Sequence, residues 1–184
     1  MFIVIEGIDC SGKSTASRLF AKENNYVLYK TPPKDIILER DRVDADASPL
    51  EHYRFYLGGI HTASRDIWEL LASGKNVVCD RYWPTTYIYH KVMGVDVNID
   101  DFSDVTKPDL TVLLLVSSEI QTRRFLDRGM SIGDRRMANS QIELAREYRR
   151  VLSQLGIPQL VINTDHNSPA EVVERIQADV VIRY

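Results

Sequence analysis

The 184-residue chain predicts an α/β fold, a five-stranded parallel sheet between helices in a three-layer sandwich, and three observations carry that prediction. Short apolar or β-branched runs recur at residues 2–6, 26–30, 76–80, 110–116 and 158–163, with helix-like stretches between them. Val112-Leu113-Leu114-Leu115-Val116 is apolar on both faces, as a central strand covered by helices on each side must be. Gly7-Ile8-Asp9-Cys10-Ser11-Gly12-Lys13-Ser14 follows the first run directly and opens a helix-like segment containing Ala16, Leu19, Phe20 and Ala21.

From the N-terminus, Phe2-Ile3-Val4-Ile5 supplies the first strand, and residues 7–14 match G-x-x-x-x-G-K-[ST], a loop that cradles phosphates. Gly7 and Gly12 let backbone N–H groups turn inward around an anion, and the following helix adds the positive end of its dipole. Lys13 then reaches the β and γ phosphates and Ser14 ligates Mg²⁺, with Cys10, Ser11 and Thr15 completing the loop. A nucleoside triphosphate is the expected ligand. The third strand ends Val77-Val78-Cys79-Asp80-Arg81-Tyr82, which places a carboxylate where α/β sheets bind ligands, and Asp80 there can hold magnesium through water.

Later elements carry clearer helix signals. Ser168-Pro169-Ala170-Glu171 combines an N-cap, a proline at the first helical position and a capping-box glutamate before Val172, Val173 and Ile176. Between Asn139 and Leu155, Leu144, Tyr148, Val151, Leu152 and Leu155 share one face of an amphipathic surface helix. Residues 129–139, rich in glycine and charge, suit a mobile loop over the site, a lid.

Composition bounds the rest. The length suits one domain spanning 1–184, with no linker, repeat or low-complexity segment. No apolar run approaches 18 residues and the N-terminus lacks a signal-peptide pattern, so a soluble cytoplasmic protein with no membrane partner is expected. Two cysteines, Cys10 and Cys79, make neither a disulfide framework nor a metal-ligand spacing. A net charge of −3 argues against a nucleic-acid partner, which would require a basic face. The positive charge is local, between Arg123 and Arg136.

With the phosphate loop and the Asp80-Arg81-Tyr82 triplet together, the chain resembles the thymidylate kinase family, which phosphorylates a deoxynucleoside monophosphate with ATP and Mg²⁺ on the P-loop kinase fold. Lys107-Pro108-Asp109-Leu110-Thr111 before the fourth strand and the arginine-rich lid segment follow the family's order. The resemblance covers nearly the whole chain and is weak between Thr31 and Leu50. It implies that Asp9 contacts the acceptor's sugar hydroxyl or a magnesium-bound water, and that Arg81 bridges the acceptor phosphate and the transferred group. It also implies Arg65 as a base contact, Thr85, Tyr89 and His90 as pocket lining, Arg124 stacked on adenine, Arg128 as the lid arginine, and a homodimer. Of Arg123, Arg124, Arg128, Arg135 and Arg136, two or three are expected to touch nucleotide.

Several positions depart from the family pattern. The residue at Cys10 is often basic, and its absence leaves the lid to supply that charge; beside Lys13 and a helix N-terminus, the Cys10 thiol is expected to have a lowered pKa. Lys34 stands near the place of an arginine that holds the acceptor phosphate, and His61 in the place of a phenylalanine that stacks on thymine. Arg136-Met137 follows Asp134-Arg135 where an acidic residue is common. A deoxynucleoside kinase is the nearest rival, but it wants a carboxylate just after the second strand as general base, and Lys30-Thr31-Pro32-Pro33-Lys34 offers cations there, with Asp35 beyond. A GTPase-type switch or non-catalytic nucleotide-binding module is a more distant one, because the guanine-reading Asn-Lys-x-Asp motif is missing.

Overall fold

The computed structural model describes residues 1–183, without the side chains of Asp35 and Ile37. Five strands, β1 (Phe2–Glu6), β2 (Val27–Lys30), β3 (Val77–Asp80), β4 (Leu110–Leu115) and β5 (Gln159–Asn163), make one parallel sheet in the order β2-β3-β1-β4-β5. All five fall within the sequence-predicted ranges, because each is an apolar run bounded by turn or helix signals. The strand β1 is central and buried along its length. Its alternation divides the core in two. Ile3 and Ile5 face one layer with Leu110, Val112 and Leu114, whereas Phe2 and Val4 face the other with Val77 and Cys79.

The first face is covered by α1 (Lys13–Asn24) and α8 (Pro169–Arg183), which contribute Phe20, Val173 and Ile176. The opposite face is covered by α3 (Pro49–Ala72), α4 (Trp83–Val92) and α7 (Gln141–Gln154), through Ile60, Ile67, Trp83, Ile88, Leu144 and Tyr148. Helix α8 begins as expected: the Ser168 N–H donates to Glu171 Oε2 at 2.7 Å and the Glu171 N–H to Ser168 Oγ at 3.3 Å. Helix α3 uses the same device, with Ser48 and Glu51 capping each other and Pro49 in the first turn.

Residues 129–139 are not the irregular loop that their composition suggested. Between α5 (Ser118–Arg128) and α7 they form a short helix, α6 (Ile132–Arg136), and part of a 3-10 turn. Ser131 and Asp134 cap one another reciprocally and Met137 is buried, so two caps and one side chain fix what apolar periodicity could not announce. From α6 the Arg136 guanidinium donates to the Asp44 and Ala47 carbonyls at 3.0 and 2.9 Å, closing the C-terminus of α2 (Ile37–Asp46).

Candidate active site

The loop between β1 and α1 has the backbone its glycines imply. Gly7 lies at φ +142°, and a Cβ there would sit 2.3 Å from the Leu114 carbonyl oxygen, so any side chain would drive β1 and β4 apart. Lys13 is buried and its Nζ donates to the Ile8 carbonyl at 2.5 Å. Burial, assisted by the neighbouring Arg81 cation, lowers its pKa to about 7. Beside it the Ser14 hydroxyl donates to Asp80 Oδ2 at 2.5 Å, and Lys30 Nζ lies 3.4 Å from the same oxygen. Asp80 Oδ1 is buried without a hydrogen-bond partner. A hydroxyl and a carboxylate with an uncommitted buried oxygen are hard donors of the kind that suits a magnesium ion sharing its shell with phosphates and water.

Arg81 follows β3 at φ +68°, a left-handed conformation for a residue with a side chain, and this turns the guanidinium back over the phosphate loop. It pairs with Asp9, donates to the Gly7 carbonyl at 3.3 Å and lies over the Tyr89 ring. The Tyr89 hydroxyl donates to the other Asp9 oxygen at 3.1 Å. Although burial works to raise it, the cations of Arg81 and Lys13 hold the Asp9 carboxyl below its ordinary pKa. Underneath, the Thr85 hydroxyl donates to Glu6 Oε2 at 2.6 Å and the Tyr82 N–H to Oε1 at 2.8 Å. Glu6 is fully buried at the end of β1, and that burial raises its pKa.

Asp9, Lys13, Ser14, Lys30, Arg81, Thr85 and Tyr89 line one cavity of about 710 Å³ above the carboxyl ends of the strands, with Asp80 bonded to Ser14 and Glu6 to Thr85. One end is built by α5 and the start of α8. There Arg124 donates to the Cys10 and Thr164 carbonyls at 3.0 and 2.6 Å, and Arg128 pairs with Asp134 at 2.6 Å. The other end is walled by Arg40 and Asp44 of α2, His52 and Tyr56 of α3, and His90 of α4. Tyr56 donates to Asp44 Oδ1 at 2.8 Å.

Of the sequence-predicted residues, Asp9, Cys10, Ser11, Gly12, Lys13, Ser14, Thr15, Arg81, Thr85, Tyr89, His90, Arg124 and Arg128 line this cavity, with Gly7 beneath the loop. Four others do not: His61, Arg65, Lys34 and Asp80, the last bonded to the cavity-lining Ser14. Helix α3 turns Tyr53, Ile60, Ala63 and Ile67 inward, so His61 and Arg65 fall on its solvent side; His61 lies 3.7 Å from Asp104 instead of facing a base. Lys34 is exposed on the turn before α2. The Asp35 side chain lies outside the described residues. The Cys10 thiol is raised, not lowered: burial dominates, and Asp134 and Asp9 add to it against Arg128 and Lys13. Arg136 lines the cavity but is committed to α2 carbonyls, while Arg123 and Arg135 are exposed. The inner wall of Arg40, Asp44, His52 and Tyr56 was missed, although His52 and Tyr56 share the apolar phase of Tyr53 and Ile60, an inward signal.

A phosphate loop on the central strand, facing a strand-end carboxylate and a cluster of cations, defines a nucleotide phosphotransferase of the P-loop class. The thymidylate kinase family profile matches residues 5–176, and the chain belongs to that family. It is 29% identical to a probable thymidylate kinase of Pyrococcus horikoshii, over 98% of this chain and 93% of the relative. With a probable thymidylate kinase of Methanocaldococcus jannaschii it shares 30% identity, over 96% and 93%. The thymidylate kinase structure from Candida albicans superposes with a TM-score of 0.82 at 19% identity, covering 98% of this chain and 91% of that one. A deoxyadenosine kinase from M. mycoides superposes with a TM-score of 0.74 at 20% identity, over 98% and 100%, which extends the likeness of fold to a nucleoside kinase.

Proposed function

We propose that this chain transfers the γ-phosphoryl group of ATP to a deoxynucleoside monophosphate, dTMP foremost. The observation that carries the reading is the state of the carboxylates lining the cavity. Among the described residues these are Asp9, Asp44 and Asp134, and each is already engaged: Asp9 by Arg81, Asp44 by hydrogen bonds with His52 and Tyr56, and Asp134 by Arg128. A nucleoside kinase needs a free carboxylate to take the 5′-hydroxyl proton, whereas a monophosphate arrives already ionised and needs cations. The names carried by the family's relatives point the same way.

The phosphates of ATP would lie in the loop N–H groups of residues 7–15, with Arg124 at the adenine end. Lys13, whose pKa is lowered by burial and by Arg81 against the nearby carboxylates, would recharge as the polyphosphate brings further negative charge. Ser14 and Asp80 would hold Mg²⁺, which supplies neutralisation of phosphate charge. Arg81, fixed by Asp9 and Tyr89, faces the place where acceptor and donor phosphates meet, so its charge falls on the equatorial oxygens of the group in flight. Residues 129–139 act as the lid in this reading, bringing Arg128 to the phosphates when its pairing with Asp134 is exchanged.

A homodimer fits the same family reading, with Leu50 and Trp68 exposed on α3 (47% and 62%) as apolar contacts for a second copy. Among the described residues no helix is long and apolar enough to cross a membrane. A cytoplasmic enzyme of small nucleotides, without a nucleic-acid partner, accords with the net charge of −3. The test is ADP release with ATP and Mg²⁺ across dTMP, dUMP, dCMP, dAMP, dGMP and the corresponding nucleosides. Preference for dTMP is expected; turnover confined to unphosphorylated nucleosides would refute the reading.

A further inference from the structure

The wall of Asp44, His52 and His90 carries a proton that can be located by counting. His90 Nδ1 lies 2.6 Å from the Thr86 carbonyl oxygen, which only accepts, so that nitrogen bears a hydrogen. His90 Nε2 and His52 Nδ1 are 2.7 Å apart and need a second hydrogen between them. His52 Nε2 and Asp44 Oδ1, 3.1 Å apart, need a third. Two neutral imidazoles carry two hydrogens, so the array holds one more. Burial lowers the pKa of His90 to about 4, which keeps that ring neutral. The Asp44 carboxyl sits below its ordinary value despite its burial, through hydrogen bonds from His52 and Tyr56.

We propose that His52 is an imidazolium at neutral pH and a positioning residue for the phosphoryl acceptor, its charge clamping α2 to α3 and α4 and thereby setting Asp44 and Tyr56 against the acceptor's base. All three members of the array are buried. Facing it are Arg40 and Asp44 from α2, Tyr56 one turn further along α3, His90 from α4 and Arg136 from α6. Tyr56 shares Asp44 Oδ1 with His52, and its ring lies 4.7 Å from the imidazole. Loss of the proton turns one of the contacts into opposed lone pairs, and Asp44 and Tyr56 then lose their common anchor. The Arg40 Nε, buried and unpartnered beside Asp44 Oδ2 at 3.9 Å, leaves a donor next to an acceptor on the same wall. That pair suits a base edge offering an N–H beside a carbonyl or ring nitrogen.

The inference rests on the acceptor reading above, and the experiment has two arms so that the two fail separately. In the first, ¹⁵N imidazole spectra of the whole protein at pH 7 should show both His52 nitrogens protonated and His90 protonated at Nδ1 alone. A neutral His52 overturns the proposal. In the second, His52→Gln at pH 7, where the acceptor phosphate (pKa about 6) is dianionic, should raise the dTMP KM at least about tenfold, with kcat and the ATP KM nearly unchanged. In the parent protein the dTMP KM should rise by about tenfold per pH unit once the spectra show His52 losing its proton, and this limb should be missing in His52→Gln. A parent-like dTMP KM in the folded variant, or a shared pH limb, also overturns it. Absence of any reaction with dTMP would sink the acceptor reading alone, and the spectra would still decide where the proton is.

Discussion

Replacing Arg81 with alanine separates its two roles. The guanidinium is 18% exposed and its partner Asp9 11%, so removal leaves a buried carboxylate without its main cation. Breaking a buried pair costs on the order of 3–5 kcal/mol, and the low end applies because Tyr89 still donates to Asp9. For a chain of this length each kcal/mol shifts the melting temperature by about 2–4 °C, which gives a fall of about 6–12 °C. The strain at φ +68° is unchanged, since alanine tolerates it no better than arginine. Turnover should drop separately, by about 10²–10³-fold, the usual cost of losing a donor aimed at transition-state charge. Adding Asp9→Asn removes the stranded charge, so the double variant should regain most of the lost melting temperature and none of the lost turnover. The assays are a thermal melt followed by circular dichroism and ADP release at saturating ATP and dTMP. A folded Arg81→Ala protein with turnover within fivefold of the parent, or a double variant that recovers activity, would refute the argument.

Lys13 is expected to couple ATP binding to proton uptake. With a folded pKa of about 7 against about 10.4 in the unfolded chain, it binds fewer protons folded than unfolded between those values. Its contribution to stability therefore rises with pH across that window, and ATP binding at pH 8 should take up close to one proton. Calorimetry in buffers of different ionisation enthalpy reads this, and buffer-independent heats would contradict it. Arg128→Ala should lower turnover by about 10²-fold while ATP affinity changes little, whereas exposed Arg123→Ala should do almost nothing; equal effects would move the charge to Arg135 or Arg136. His61→Phe and Arg65→Ala should leave the dTMP KM unchanged, and Tyr56→Ala should raise it by about tenfold or more. A shift in the first two, with none in the third, would restore them to the pocket.

The strands and the phosphate loop were legible because each is a local pattern: an apolar run of set length, or glycines at set spacing before a lysine. Helix α8 was legible through its cap. The acceptor wall was not, and α3 shows why. Placing His61 and Arg65 by family order ignored the phase of the helix, in which Tyr53, Ile60, Ala63 and Ile67 already marked the inward side. Even with the phase correct, nothing local says that His52 meets His90, 38 residues away, or that Asp44 lies between His52 and Tyr56. Such pairings depend on how three helices cross, which only tertiary packing decides. The α6 segment failed for the opposite reason, since a five-residue helix is too short to show a period.

The strand order β2-β3-β1-β4-β5 has an evolutionary consequence. Chain that leaves β1 on one side, through α2, α3 and α4, carries the wall assigned to the acceptor, while chain on the other side, through α5, α6 and the start of α8, carries the end assigned to ATP. The two halves share the β1 loop as a common hearth and otherwise occupy separate stretches of the gene. Mutations in codons 37–56 therefore act first on the wall assigned to the acceptor, and they reach the other half through the Arg136 hydrogen bonds to the Asp44 and Ala47 carbonyls.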